Sequence, residues 1–416
     1  MKKMFLVLVL VTVLMLSAIV SADEWNGTFD GQIKIGSVGP LTGASAETGI
    51  AARQGQELAV AEKNAAGGIV IDGKHYEVVL LFEDSAGQPE TAVAAAEKLL
   101  SVDKVDALFA DTIISSCILP VMDLAPKYPD VLISTVEGVS TGIPQKYASD
   151  PAKYRNFFKP CWSSDTYGKV VGESAVYLVE QGAIDAKTKT VAYVFEDTDY
   201  GRNNVTAAEA VFAEKGWTTV AMEPSPQGNT DFYSQIYKLM ELEPDIVVSC
   251  FVPVASGIAY VKQVQEIAPE WTDIAIVYPS KPGFNEDSGS ASDLLFWTPI
   301  EIDYGTDTLL DFAARIDAMF GVSVTKCQCS GFDTMNIMME NIEKAGTTKA
   351  TAGLVDAYEK TEYSGLCGTF KFDENHCAIG GEGGLNLAMG QIQEGTAETL
   401  IVWPVNMIQA EAQRQH

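Results

Sequence analysis

The stretch Lys34-Ile-Gly-Ser-Val-Gly-Pro-Leu-Thr-Gly-Ala-Ser-Ala-Glu-Thr-Gly49 decides the fold. Ile33, Ile35 and Val38 give it strand character, Gly39, Pro40 and Gly43 break the ladder, and Thr48 is placed to cap a helix over 48–65 whose apolar face carries Ala51, Leu58, Ala59 and Ala61. A helix that opens directly behind a strand aims its free backbone N–H groups into the space beyond the sheet, where a polar or anionic ligand can be held. One such turn is ordinary. Its repetition along the chain carries the reading.

Towards the C-terminus the spacing predicts strand 76–83, helix 88–101, strand 106–110, helix 115–126 and strand 131–135. A break from Gly138 to Pro160, rich in Ser, Pro, Lys and Tyr, precedes a second set: helix 165–182, strand 190–195, helix 200–215, strand 217–222, helix 230–241, strand 245–250, helix 254–267 and strand 273–278. Short apolar strands buried on both faces, joined by helices with apolar stripes such as Ala92, Ala95, Ala96, Leu99 and Leu100, predict parallel sheets with crossover helices. The expected fold is α/β, with two doubly wound parallel-sheet lobes. The remainder gives strand 294–299, helices 309–320, 332–345 and 351–359, and strands 368–372, 384–391 and 400–404. The helices are expected to return to a first lobe of 33–160 plus 299–367, and the late strands to a second of 161–298 plus 368–405.

Towards the N-terminus, Lys2 and Lys3 precede an apolar run from Met4 to Val20 and then Ser21-Ala22-Asp23, which reads as a signal peptide over 1–22. An uncleaved anchor is the alternative, since a spanning helix needs about 20 apolar residues. No Cys ends the run, so a lipid-modified terminus is not indicated. The formal net charge is −28, and losing Lys2 and Lys3 with the leader takes it to −30. Such a chain repels nucleic acid and anionic membrane surfaces, and its scattered acids with 47% hydrophobic content describe a globular soluble protein. With the leader, the expectation is a monomer outside the cytoplasm, periplasmic or extracellular. Seven cysteines and three histidines without a C-x-x-C pair imply no metal site and no cofactor. One disulfide from Cys327 or Cys329 to Cys367 or Cys377, or buried free thiols throughout, both fit the spacing.

An enzymatic alternative rests on Gly138-Val-Ser-Thr-Gly142, a G-x-S-x-G string after a strand, with His376 downstream, which would make Ser140 a hydrolase nucleophile. That elbow needs a helix directly behind the serine, and Ile143-Pro144-Gln-Lys-Tyr147 is a poor helix start. No G-x-x-x-x-G-K-[ST] loop occurs, and Gly380-Gly-Glu-Gly-Gly384 has no helix behind it. No catalytic residue is assigned.

Lys34 to Gly43, Ala65-Ala-Gly-Gly-Ile69, Glu83-Asp84, Asp199-Tyr-Gly201 and Gly365-Leu-Cys-Gly-Thr-Phe-Lys-Phe-Asp-Glu-Asn375 together resemble the periplasmic branched-chain amino-acid binding proteins, solute receptors of ABC transporters with the type I periplasmic binding fold. The resemblance runs in order over nearly the whole mature chain. It implies a small-molecule ligand trapped between two lobes, an ABC permease as partner, and a hinge of three crossings near Lys159 to Ser163, Phe296 to Ile302 and Gly368 to Phe372. It also implies that Ser115 and Ser116, with backbone groups of Val136 and Gly138, hold the ligand's carboxylate. Thr48 stands where the family has an aromatic wall, and Tyr200 matches a covering tyrosine. Phe251 and Val252 fall where another aromatic is usual. Trp162 and Tyr167 follow the first crossing, near the cleft by position. The alternative within this fold is a sensor domain for a signalling partner, against which stands the lack of a transmembrane or kinase segment up to His416.

One departure concerns the ligand. Where amino-acid-binding members place an acid against the ligand's ammonium, this chain reads Tyr278-Pro-Ser280-Lys281-Pro282. Either Glu137 or Asp111 replaces that acid from the first lobe, or the ligand has no ammonium and Lys281 pairs with an anionic or carbonyl group, which is the reading we favour.

Overall fold

The computed structural model describes residues 25–415 apart from 26, 44, 282, 303–305 and 382, so the signal-peptide reading over 1–22 lies outside the described residues. The opening stretch forms β1 (Gly31–Gly39), the central strand of a sheet completed by β2 (Ile69–Ile71), β3 (Lys74–Asp84), β4 (Ala107–Phe109) and β5 (Leu132–Ser134), in the order β2-β3-β1-β4-β5. Ile33, Ile35 and Val38 are buried, and β1 runs parallel to β3 and β4 with Ile35 opposite both Leu80 and Ala107. β2 is a short antiparallel addition that the sequence reading missed.

A second sheet is built on the parallel strands β6 (Thr190–Glu196), β7 (Thr218–Ser225), β8 (Ile246–Cys250), β9 (Thr272–Ile276) and β10 (Phe296–Ile300). β11 (Tyr363–Gly365) and β12 (Gly368–Phe370) form a separate hairpin, while β13 (Ala388–Ile392) and β14 (Thr399–Trp403) close the second sheet antiparallel, giving β14-β13-β10-β9-β8-β6-β7. The expected strand 368–372 therefore does not join the second sheet, and Phe370 packs in the first lobe's core. Beside the first crossing lies His376–Ala378 instead: the Lys159 N–H donates to the His376 carbonyl at 2.8 Å, and the Ala378 N–H to the Lys159 carbonyl at 2.9 Å.

The region after Gly138 also differs from expectation, because Gly142–Ser149 is helical. Pro144 lies in its first turn, where a missing N–H breaks no helical hydrogen bond, and Ile143 and Tyr147 point inward. All seven cysteines are free thiols and six are buried, so no disulfide links the Cys327 region to Cys367 or Cys377.

A C-terminal helix packs on the opening helix of the first lobe. Helix Lys326–Ala345 lies along helix Ala46–Ala65 with backbone against backbone: a Cβ on Gly55 would stand 2.0 Å from the Gln328 carbonyl oxygen, and one on Gly331 would stand 2.1 Å from that of Ala52. Neither position can carry a side chain without parting the helices. The second lobe uses the same device locally, where Gly168 of helix Ser164–Glu180 would clash at 2.2 Å with the Asn204 carbonyl of helix Asp199–Glu214.

Candidate ligand-binding cleft

The C-terminal ends of the parallel strands form two rims. On the first, Asp84 at the end of β3 pins the loop after β1: one oxygen accepts from the N–H groups of Leu41 (2.8 Å) and Ala86 (2.7 Å), the other from the Thr42 hydroxyl (2.7 Å). Thr48 does not cap the following helix, which begins at Ala46; its hydroxyl donates to the Ser45 carbonyl inside the first turn. Beyond β4, buried Asp111 accepts from the N–H groups of Ile113 and Ile114 at 2.9 and 2.8 Å. Burial pushes its carboxyl up to about 6. Ser115 opens the next helix, and its hydroxyl oxygen accepts from the Ser140 N–H at 3.1 Å, while Ser116 is exposed. Val136 is buried, and Gly138 takes φ +107° with a would-be Cβ 2.3 Å from Ile118 Cδ1. This loop meets the first crossing, since the Ser164 N–H donates to the Val139 carbonyl at 2.6 Å.

On the second rim, Tyr200 packs against two apolar clusters, and its hydroxyl is buried with no hydrogen-bond partner. Burial foremost, then the charges of Glu301 and Glu196 among its neighbours, hold that phenol well above the usual range. Glu196 at the end of β6 accepts from the Thr198 hydroxyl and the Val252 N–H, both at 3.0 Å. Val252 is exposed, whereas Phe251 turns into the lobe's own aromatic cluster with Phe232, Tyr260 and Tyr278 and forms no cleft wall. Behind β9, Ser280 donates to the Val277 carbonyl on an exposed turn. It lines a separate groove of about 390 Å³ with Trp297 and Thr399. Lys281 is half-buried, and its ammonium has no partner among the described residues.

Between the rims stands a group that sequence reasoning missed. Lys326, first residue of its helix, places Nζ 3.0 Å from Glu137 and 3.2 Å from Glu301, with side-chain exposures of 17%, 14% and 14%. The same ammonium lies 5.1 Å above the Trp162 ring, and the Tyr167 hydroxyl donates to the other Glu301 oxygen at 2.8 Å. Burial alone would lower the Lys326 pKa, but the charges of Glu137 and Glu301 outweigh it and hold it well above the lysine range; burial in turn raises Glu301 against the Lys326 charge. Trp162 is buried and its indole N–H has no partner. Of the expected residues, the structure thus gathers Trp162, Tyr167 and Tyr200 around the Lys326 and Glu301 pair, with Lys281 near enough for the half-buried Cys327 thiol to feel both ammonium groups. A wider groove of about 1310 Å³ touches Trp162 but runs along the hinge, between helix Gly142–Ser149 and the loop 377–387.

The hydrolase geometry is absent. The Ser140 hydroxyl accepts from the Gly142 N–H at 3.1 Å, and His376 faces the Phe157 carbonyl and Glu359, stacked 3.9 Å from the Phe158 ring.

Two α/β lobes with paired strand-end rims define the type I periplasmic binding protein fold. Residues 32–396 match the periplasmic binding protein family, to which the chain belongs. It is 28% identical over 215 residues to a Leu/Ile/Val-binding protein homologue of Brucella melitensis, covering 52% of this chain and 53% of that one. The chain thus spans about half the length of the first curated relatives it matches. A longer match, 26% over 351 residues and 82% and 86% of the two chains, is to the leucine-, isoleucine-, valine-, threonine- and alanine-binding protein of Pseudomonas aeruginosa. A solved structure from Silicibacter pomeroyi, described provisionally as a branched-chain amino acid ABC transporter, superposes with TM-score 0.85 at 18% identity over 92% of this chain and 98% of that one. Family and fold are those of non-catalytic solute-binding proteins.

Proposed function

We propose that the chain is an extracytoplasmic solute receptor of an ABC transporter, which closes its two lobes on a small organic solute, an amino acid or related carboxylate or amide, and presents the closed form to a membrane permease. The lobes in this reading are 33–160 with 299–367 and the hairpin strand 368–370, and 161–298 with the strands 388–392 and 399–403, and the solute meets Thr48, Ser115, Ser116 and the backbone of Val136 and Gly138 from one side and Trp162, Tyr200, Val252 and Lys281 from the other. The observation that supports it best is Tyr200: a rim side chain packed against two apolar clusters, whose buried hydroxyl lacks a partner that a bound solute can supply. Binding favours closure only through contacts made better in the closed state, so residues from both rims must touch the solute. Small-angle scattering during titration with a panel of amino acids, amides and carboxylates tests this. A bound member should raise the melting temperature, by about 2.7 kcal/mol of stabilisation at 100 times its dissociation constant, and shrink the radius of gyration. Stabilisation without compaction would sink the closing mechanism.

A further inference from the structure

Within this receptor reading, we infer that Lys159 is a positioning residue for the cleft: from the hinge behind it, a buried ammonium sets the direction of the Trp162 side chain and the seat of the rim loop after β5. Lys159 is 1% exposed. Its ammonium donates to the carbonyls of Cys161 and Trp162 at 2.8 and 2.5 Å and to the Ser163 hydroxyl at 3.4 Å, and among the described residues no carboxylate pairs with it. A charge taken out of water with no counter-charge adds little to the stability of the fold, since hydrogen bonds to neutral oxygens only offset its lost hydration. What the arrangement does fix is geometry. The Cys161 and Trp162 carbonyls belong to the two peptide planes on either side of the Trp162 α-carbon. Each plane is rigid, so holding both oxygens at one point fixes the backbone torsions of that residue, and with them the direction in which its indole leaves the chain. Neighbouring carbonyl dipoles aimed at one point repel each other unless a cation stands between them. Lys159 is itself anchored, because its N–H donates to the His376 carbonyl at 2.8 Å and its carbonyl accepts from the Ala378 N–H at 2.9 Å. The turn it holds leads straight to the cleft. The Lys326 ammonium lies 5.1 Å over the Trp162 ring, Tyr167 meets that ring edge-on at 6.0 Å, and the Ser164 N–H, next after the held turn, donates to the Val139 carbonyl of the rim loop at 2.6 Å. One ammonium thus grips the backbone of Trp162 while another faces its ring, and the buried Cys161 thiol lies near enough to feel both.

Lys159→Met keeps the length of the side chain and removes its charge. In the full mature chain it should shift the melting temperature by no more than about 4 °C, because sparing the buried charge offsets the two carbonyls left without a donor. The indole N–H resonance of Trp162, assigned by its loss in Trp162→Phe, should move or split in the variant while those of Trp217 and Trp271, packed in the second lobe, stay in place. The Ser164 amide should exchange with solvent about tenfold or more faster. Each amino acid, amide or carboxylate of the panel that stabilises wild type should bind the variant about tenfold or more weakly by calorimetry, the loss expected when a preorganised wall is released. A merely structural lysine gives the reverse pattern: a melting temperature far below wild type with the Trp162 resonance in place, which overturns the assignment. Unchanged affinity in a folded variant overturns it too. Should Lys159→Met fail to fold, wild type decides: a caged ammonium exchanges its protons slowly enough for the Lys159 side-chain nitrogen to be seen by proton-detected resonance, and the absence of that signal overturns the assignment. If no panel member binds wild type, the receptor reading falls on that result alone, while the Trp162 resonance still decides what Lys159 holds.

Discussion

The two rims differ in how their loops are held. On the first, side chains tie loop to loop: Asp84 holds the loop after β1, Asp111 its own turn, Ser115 the Ser140 N–H and Glu137 the Lys326 ammonium, while Asp111 Oδ2 and the Thr112 and Thr135 hydroxyls are buried without a hydrogen-bond partner. On the second, Glu196 holds the Val252 N–H, while the Tyr200 hydroxyl has no hydrogen-bond partner and the Lys281 ammonium has none among the described residues. The first wall is therefore the more firmly tied, and both keep polar groups that gain from meeting a solute. A receptor needs such groups, because only contacts unmade in the free protein can reward closure.

The largest test removes Lys326, which the first rim and the centre share. Lys326→Met leaves two carboxylates largely buried and unpaired, and should cost about 3–5 kcal/mol of stability. Its sign with pH follows from Glu301, whose folded-state pKa burial already raises and which would rise further without the ammonium. A raised carboxyl stabilises the fold fully below its unfolded value, about 4.3, and that contribution is lost as pH rises through the folded value. The variant's melting point should thus fall most steeply towards alkaline pH and approach wild type near pH 4. A deficit independent of pH would mean the ion pairs are not what holds Lys326.

Gly138→Ala attacks the fixed wall through its backbone. At φ +107° and 2.3 Å from Ile118 Cδ1, the added methyl should cost about 1–3 kcal/mol and loosen the loop. An unchanged urea midpoint would show that the wall yields easily. Ser115→Ala strips the acceptor from the Ser140 N–H, a loss of about 0.5–1.5 kcal/mol of stability, with weaker solute binding by calorimetry. A loss of affinity with full stability would move Ser115 to the adaptable side of the comparison. Smallest in stability is Tyr200→Phe, expected within about 0.5 kcal/mol of wild type because the hydroxyl has nothing to lose in the free protein. Its effect belongs in dissociation, which stopped-flow should find faster. A marked drop in melting temperature would show the hydroxyl to be structurally paired.

Most of the fold could be read from periodicity, since each parallel strand and each long crossover helix announces itself within its own residues. The misses are contacts that no local pattern encodes. Gly142–Ser149 is held as a helix by Ile143 and Tyr147 packing into the first lobe, which a Pro-containing stretch does not advertise. Phe251 stands where the family resemblance implies a cleft aromatic, but the aromatic cluster behind its strand draws it inward. Tyr200, Gly138 and Ser115 were legible as rim positions because they ride on strand ends. Lys326 was not, because its importance lies in two acids remote in sequence. A signal for its position existed in Thr325-Lys-Cys-Gln328, whose threonine and glutamine form a capping box and start the helix six residues earlier than its apolar stripe suggests.

The glycine seam between helices Ala46–Ala65 and Lys326–Ala345 has a consequence for the order in which this molecule is made. Gln328 reaches Gln54 across 274 residues, so the first helix cannot be covered until most of the chain has been synthesised. The matching seam at Gly168 joins two helices that are neighbours in sequence, and can form soon after both emerge. Contacts of long sequence separation form late because closing a long loop costs entropy before the contact rewards it. The lobe that begins the protein therefore waits for most of the chain before its first helix is covered, and until then the apolar face of that helix needs shielding.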